Sequence, residues 1–480
     1  MAEIRYICLS DMHLGEEDSL LTNLKTASRE TDPSKASPVM KHLVACLRHL
    51  ILEKEKPAKK PTLVLIGDIL EMALATTNEA AMAFERFIEL VMPVKKADRL
   101  FGSIVYVPGN HDHHLWETAR ETQYVNFIKN STKPGDPLAI PRHTSKMFME
   151  KKTHYIPSYF LTRLVQRYKH LRDFEINVAY PNFGHFRKES ERCVIFHHGH
   201  YIEPLYYLMS TVKSMVFPEQ EEADTVQEIE AENFAWIDFF WSAMGRSGTA
   251  GQDVEVIYEK LHDKKARAKL IKTLSRSIAE RYDLPGWGDR MEAKFLEWGL
   301  NYLSERFAGA ERAHRDAPLS EEAEKGLNTY TAGPLWKQIM DERSGNKPRD
   351  VTLVIGHTHK PFEEDRNFRN FPRWVNVYNT GGWVVESIEP QKFKGGSVVL
   401  IDDDLNAASI RMYNETAVSE KNSVEVMNAT HTGEETNPLY ERIKGFVDGE
   451  CDPWRAFSAE VVRSIYRRRE NLRRRINETM

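Results

Sequence analysis

Short, continuous runs of apolar residues recur along the chain, and most end in a cluster of Gly, Asp, His or Asn. Five of them are "RYICLSDMH" (5–13), "PTLVLIGD" (61–68), "GSIVYVPGNHD" (102–112), "RCVIFHHGH" (192–200) and "DVTLVIGHTH" (350–359). Two further runs are "WVNVYNTGGWVV" (374–385) and "GSVVLIDDD" (396–404). Apolar character that is continuous rather than alternating is typical of strands covered on both faces. The pattern therefore predicts seven buried strands.

Segments with helical periodicity lie between these runs, for example residues 39–54 and 80–92. Strands that alternate with helices predict an α/β fold. In such folds ligands bind beyond the carboxyl ends of the strands. Because the polar clusters stand at those ends, we expect them to form one site.

Two regions interrupt this rhythm. Residues 201–349 read as mostly helical, and they are too long for an ordinary connection within an α/β unit. We therefore expect residues 1–200 and 350–413 to form the core, and 201–349 to form a helical insertion that acts as a lid. Residues 414–480 read as a polar linker followed by a basic helix.

The basic helix is amphipathic. Val461, Ile465, Leu472 and Ile476 fall on one face, and seven arginines lie between Arg463 and Arg475. The plain interpretation is a solvated helix docked by its apolar face. The functional alternatives are a surface for anionic lipid or one for nucleic acid.

Composition narrows the class of protein. The chain has 480 residues, of which 41% are hydrophobic and 29% charged, and its net charge is -5. These values fit an ordinary globular protein and argue against a general polyanion binder. We find no signal-peptide pattern and no apolar run of roughly 20 residues. The four cysteines form no CxxC pair, and Cys8 and Cys193 sit in strand-like runs as expected of buried thiols. We expect a cytoplasmic protein, with peripheral membrane contact as an option.

The polar clusters have the residue types of a metal site. Asp11 and His13 are two residues apart, as are His357 and His359, so each pair can aim two ligands to one side of a strand end. The other candidates, each at the end of another strand, are Asp68, Asn110, and either His197 or His198. Oxygen and imidazole ligands without a thiolate suit Mn²⁺, Fe, Zn²⁺ or Co²⁺. Seven ligands fit two ions with one bridging carboxylate.

The expected charge of such a site also indicates its chemistry. Two divalent ions bring four positive charges, while Asp11 and Asp68 bring two negative ones. A net positive site suits a phosphate group, and bound metal lowers the pKa of a bridging water so that hydroxide can attack.

The order D-x-H, G-D, G-N-H-D, H-G and G-H-x-H, written here as "SDMHLG", "GDILE", "GNHD", "HHGH" and "GHTHKP", resembles that of the calcineurin-like metallophosphoesterases. The resemblance implies a four-layer α/β/β/α sandwich, here with a large helical insertion, and a dinuclear centre between the strand ends. It implies that Asp11, His13 and His359 hold one ion, and that Asp68 bridges. It gives the second ion to Asn110, His198 and His357, with His198 preferred to His197 because the family's ligand directly precedes Gly. Mn²⁺ is the first choice of metal.

The resemblance also implies catalytic residues. His111 would be the general acid that protonates the leaving oxygen, and Asp112 would orient it. Asn110 and His200 are candidates for contacts with substrate. His113 and His114 are weaker candidates, since loop histidines are often merely exposed.

Finer matches point to more than one branch of the family. "SDMHLG", "GHTHKP" and "NTGGW" look most like the UDP-diacylglucosamine pyrophosphatase branch, although that branch reads H-G-D where this chain reads "HGH", and the lid here is longer. We expect a phosphodiester, phosphomonoester or pyrophosphate substrate, lipid- or nucleotide-linked, with an apolar tail in a groove of the lid. The alternatives are a nuclease of the Mre11/SbcD type and a non-catalytic scaffold; the oligomeric state stays open.

Overall fold

The computed structural model describes residues 2–238 apart from 27, 29, 152 and 153, together with 242, 314–416, 424–429 and 437–479. These residues form a mixed α/β protein with two mixed sheets, which confirms the predicted fold class. The central part of the predicted helical insertion, residues 239–313 apart from 242, lies outside the described residues.

The first sheet has eight strands in the order β13-β12-β11-β1-β2-β3-β5-β4. They are β1 Ile4–Leu9, β2 Thr62–Ile66, β3 Ser103–Val107, β4 Ile156–Pro157, β5 Ile176–Val178, β11 Gly395–Asp402, β12 Ala407–Asn414 and β13 Glu425–Met427. Strands β1, β2, β3 and β5 are parallel, so the carboxyl ends of β1, β2 and β3 meet at one edge.

The second sheet has five strands in the order β6-β7-β8-β10-β9. They are β6 Asn182–Arg187, β7 Arg192–His197, β8 Asp350–Ile355, β9 Phe362–Arg366 and β10 Val375–Asn379. Strands β7, β8 and β10 are parallel, which brings the ends of β7 and β8 together. All seven strands predicted from apolar runs are present within the two sheets.

Helices occupy the connections. They are α1 Pro38–Arg48, α2 Thr77–Val91, α3 His114–Ser131, α4 Tyr159–Gln166, α5 Leu208–Val216, α6 Val226–Ile237, α7 Glu321–Tyr330, α8 Trp336–Glu342, α9 Pro438–Lys444 and α10 Trp454–Thr479. Local sequence sets their starts: Ser37 caps α1 ahead of Pro38, and Thr76 with Glu79 forms a capping box for α2. The two predicted helices at 39–54 and 80–92 are thus present.

Alternate residues of each strand belong to different cores, which explains the continuous apolar runs. Tyr6, Cys8, Val64 and Ile66 of the first sheet pack between the sheets with Val194, Phe196, Val354 and Tyr378 of the second. Their neighbours on the opposite face of the first sheet, such as Ile7 and Leu63, pack against helices α1, α2 and α10. The burial of Cys8 and Cys193 is confirmed.

The described part of the insertion covers the outer face of the second sheet. Ile202, Ile229, Leu327 and Ile339 join the core formed by alternate residues of β7, β8 and β10. Of the apolar residues of the insertion that we expected in a groove of the lid, the described Ile202 and Ile237 lie in this helical layer. No described helix is both long and apolar enough to cross a membrane.

The C-terminal region is more ordered than the expected linker. Strand β13 and helix α9 lie within 414–453, and β13 extends the first sheet. Helix α10 buries Val461, Ile465 and Leu472, as its apolar face predicted; the side chain of Ile476 lies outside the described residues.

Several arginines of α10 are used inside the molecule. Arg468 and Arg469 are buried, and Arg475 pairs with Glu17 and Asp18. These contacts favour the docked interpretation of the helix over a fully solvated basic surface.

Candidate metal centre

The loops after five strands meet where the edges of the two sheets face each other. The loops after β1 and β2 are joined by hydrogen bonds from Asp11 N to Gly67 O (3.0 Å) and from His13 N to Asp68 O (2.9 Å). The backbone is strained there: Asp11, His13, Asp68, His357 and His359 all have positive φ, between 44° and 73°. Non-glycine residues rarely adopt this conformation, and it clusters at functional sites. It turns each side chain inward.

The first group of donors contains Asp11, His13 and His359, all buried. His13 Nε2 lies 3.2 Å from His359 Nε2, and His359 Nε2 lies 3.3 Å from Asp11 Oδ1. Ligand atoms about 2.0–2.1 Å from one ion lie roughly 3 Å from each other. The spacing within the group is therefore that of ligands around a shared cation.

The second group contains Asp68, His198 and His357. His198 Nε2 lies 3.3 Å from Asp68 Oδ2, 3.3 Å from His357 Nδ1 and 3.0 Å from Asn110 Oδ1. Asp68 also faces the first group, at 3.8 Å from His13 Nε2. The structure thus brings all seven predicted ligands together, with Asp68 between the two groups.

His197 points away from this centre. Its ring packs against Tyr330, Tyr201 and His200, with centroids 4.8–6.0 Å apart. Because successive residues at a strand end face opposite sides, only His198 can join the second group.

An acceptor lies beside the other ring nitrogen of each histidine, in hydrogen-bond geometry for His13, His198 and His357 and at ion-pair distance for His359. His13 Nδ1 lies 2.6 Å from Glu71, His357 Nε2 2.6 Å from Glu203, His359 Nδ1 2.7 Å from Glu386, and His198 Nδ1 3.0 Å from Ile66 O. Such partners place the proton on the outer nitrogen and fix the ring. The inner nitrogens then carry lone pairs.

Lone pairs of two imidazoles and a carboxylate oxygen repel one another at these distances unless a positive charge lies between them. The pKa values of these groups in the protein without metal also reflect a need for positive charge beside the carboxylates. Burial lowers the pKa of His198, but Asp68 outweighs burial and raises that pKa to about 9. Burial likewise raises the pKa of Asp11, but the His359 hydrogen bond and the charges of His198 and His359 bring it down to about 2. The donor set therefore fits divalent cations.

Glycine is required at two points around the centre. A Cβ atom on Gly109 would collide with the Asp68 carboxylate, and one on Gly356 would collide with that of Asp11. The Gly residues of "GNHD" and "GHTH" thus leave room for the two carboxylates.

The environment of His111 differs from the prediction. Its Nδ1 lies 3.0 Å from Glu71 Oε1, and its backbone N–H donates to Asp68 Oδ1 (2.8 Å). Asp112 does not orient His111: its carboxylate accepts from the N–H groups of Ile69 (2.8 Å) and Gly109 (2.7 Å). These backbone donors hold the Asp112 carboxylate away from the His111 ring. Asp112 therefore ties the loops after β2 and β3 together. Glu71 is the residue that holds His111.

The other loop histidines are not exposed. His200 is buried between Tyr180 and Tyr201, and neither ring nitrogen has a hydrogen-bond partner among the described residues. Burial lowers its pKa well below the usual value. His113 and His114 face Asp238 of the insertion at 3.4 and 3.3 Å. Their role in binding substrate stays a prediction.

A cavity of about 630 Å³ opens beside the loops of Glu71 and His113, between helices α2, α3 and α4. Its lining is mostly apolar, including Met72, Leu115 and Tyr159, with Arg163 among its walls. The apolar lining of this cavity therefore comes from the loop after β2 and from helices α3 and α4.

Sequence reasoning missed two of the outer glutamates, Glu203 and Glu386. A lone Glu carries no distinguishing pattern; the one usable signal was its position shortly after a metal-type motif, as in "HHGHYIE" and "NTGGWVVE".

A scan of the chain against models of known protein families finds no match, and a search of curated proteins finds no relative. The class of site is therefore defined by its donors: buried imidazole, carboxylate and amide groups that could hold metal ions.

Proposed function

We propose that the protein is a dimetal-dependent phosphoesterase with the α/β/β/α sandwich of the calcineurin-like metallophosphoesterases. The observation that carries the proposal is the pair of neighbouring donor groups, in which Asp68 of the second group lies 3.8 Å from His13 of the first. Apolar cores between the sheets and on both of their outer faces support the layered architecture.

Asp11, His13 and His359 would hold one ion, and Asn110, His198 and His357 the other, with Asp68 between them. Mn²⁺ is our first choice, since the donors are oxygen and imidazole without thiolate. When bound, divalent ions supply Lewis acidity toward phosphate oxygens and make water more acidic.

The chain's own residues would then position the substrate and protonate its leaving oxygen. Glu71 holds His111 by Nδ1, so proton transfer to a leaving oxygen falls to Nε2. The substrate would be a phosphodiester, phosphomonoester or pyrophosphate. The apolar cavity beside Met72 supports an amphiphilic substrate with its phosphate on the ions.

The test begins with metal content. The apo protein should take up about two Mn²⁺ ions per chain, and Asp68→Ala should lose both ions and the hydrolysis of a nitrophenyl phosphate ester. His111→Ala should lose about 10²–10⁴ in rate on an ester with a poor leaving group, and much less on a nitrophenyl ester. A protein without metal uptake, or an active Asp68→Ala variant, would exclude the proposal.

A further inference from the structure

A line of charged side chains, buried except for the partly exposed Glu386, runs from the C-terminal helix to the candidate metal centre. It begins at Arg469 of α10, whose guanidinium donates to the Glu415 carboxylate (3.2 Å) and to its backbone oxygen (3.1 Å). Both side chains are nearly inaccessible, at 9% and 1% exposure. A buried arginine and glutamate are costly to hold unless they are paired, so this pair has a fixed geometry.

Lys394 continues the line. Glu415 N donates to Lys394 O (2.9 Å), and the Lys394 ammonium attracts the Glu415 carboxylate. The ammonium also forms a short ion pair with Glu386 Oε2, and the Lys394 side chain is only 2% exposed. It therefore lies between two carboxylates and neutralises part of their charge.

Glu386 completes the line at a metal ligand. Its second oxygen lies 2.7 Å from His359 Nδ1, on the ring edge opposite the donor group. The backbone follows the same path, because Gly395 N donates to His359 O (3.2 Å). The order of charges is thus Arg469, Glu415, Lys394, Glu386, then His359.

The charges near the centre explain why the lysine is needed. Two divalent ions would bring four positive charges, but Asp11 and Asp68 offset two of them. Outer glutamates that the sequence analysis did not count bring further negative charge: Glu71, Glu203 and Glu386 lie 2.6–2.7 Å from ring nitrogens, and Glu16 lies 3.5 Å from His13 Nδ1. Lys394 offsets part of this negative charge on the side of His359.

From this geometry we propose that Lys394 and Arg469 are positioning residues, which fix Glu386 and, through it, the orientation of His359 toward its metal ion. The inference rests on the proposed function. It assigns to the C-terminal helix a role in metal binding, in place of a lipid or nucleic-acid surface.

The experiment measures Mn²⁺ binding to the apo protein by calorimetry. Lys394→Met should lower the affinity for one of the two ions by about 10–100-fold, which is the usual effect of losing an outer contact of a ligand histidine. The affinity for the other ion should not change. Arg469→Met should give a smaller loss, and Lys394→Arg should restore binding toward the parent. Arg474→Met is the matched control, since Arg474 is 64% exposed on the same helix and, within the described part of the chain, pairs with its helix neighbour Glu470.

A double-mutant cycle separates this role from general stability. If Lys394 acts through Glu386, the Lys394→Met/Glu386→Gln variant should bind Mn²⁺ no more weakly than Glu386→Gln alone. Additive losses, or folded Lys394→Met and Arg469→Met variants that bind both ions like the parent, would overturn the inference. If Lys394→Met does not fold, Arg469→Met and Glu386→Gln decide the question. A parent protein that takes up no Mn²⁺ would instead refute the metal centre itself.

Discussion

Replacing Glu71 by Gln should remove the acceptor that holds the rings of His13 and His111. The Glu71 carboxylate is fully buried and accepts from four N–H groups. Oε1 takes those of Ala73 (2.7 Å) and Leu74 (2.8 Å), Oε2 faces His13 Nδ1 (2.6 Å), and His111 Nδ1 lies within 3.0 Å of both oxygens. Burial raises the pKa of Glu71, but His111 and His13 outweigh burial and lower it, so the group is ionised at neutral pH.

The magnitude follows from counting acceptors. Glutamine has one acceptor oxygen, which the two backbone N–H groups hold, so its amide NH₂ would face two imidazole N–H groups. A buried donor that loses its acceptor costs about 1–3 kcal/mol. Loss of an outer contact to a ligand histidine lowers metal affinity about 10–100-fold, which corresponds to about 1.4–2.8 kcal/mol. We therefore expect Glu71→Gln to lower the affinity for the ion held by His13 by that factor.

The assay is calorimetric titration of the apo variant with Mn²⁺, together with its melting temperature without metal. Glu470→Gln serves as the control, because Glu470 is 52% exposed and pairs with Arg474 on the surface of α10. A folded Glu71→Gln variant that bound both ions with parental affinity would refute the reasoning, since the support of His13 would then contribute nothing.

Three other outcomes are expected. His198→Ala should lose metal while His197→Ala keeps it; elemental analysis that found the reverse would contradict the assignment of His198. Burial raises the pKa of Glu230 from 4.5 to about 8, so its contribution to stability is fully present below pH 4.5 and is lost as the pH rises to about 8. Glu230→Gln should thus raise the melting temperature at pH 8 and change it little at pH 4.5, and equal shifts at both would speak against this. Deletion of residues 455–480 should sharply lower the melting temperature, because the helix covers the first sheet's core, and an unchanged value would mean that the helix does not dock.

The parts of the fold that were predictable share one property. Each of the seven strands is covered on both faces, so its apolar run is continuous and stands out from its surroundings. Strands β9 and β13 have exposed or half-buried residues and carry no such signal. Helix α9 lies in the expected linker and is only seven residues long. It was missed because so short a segment shows little helical periodicity.

The candidate centre was predictable as far as its inner residues. Asp11, His13 and His359 follow strands directly, so their spacing alone indicates a common site. Glu203 and Glu386 reach the histidines only through the packing of the insertion and of the loop after β10. Apart from their position shortly after metal-type motifs, nothing in the local sequence distinguishes them from surface glutamates.

The order of strands in the first sheet bears on how the protein is made. Strand β1 pairs with β11, so Ile4 meets Asp402, about 400 residues later along the chain. At the usual synthesis rate of about 5–20 residues per second, one edge of β1 waits roughly 20–80 s on the ribosome for its partner. The strand that leads into Asp11 and His13 is therefore made well before the strand that covers its edge. Until β11 has been made, that edge is exposed, and chaperones that shield unpaired strand edges would act on it.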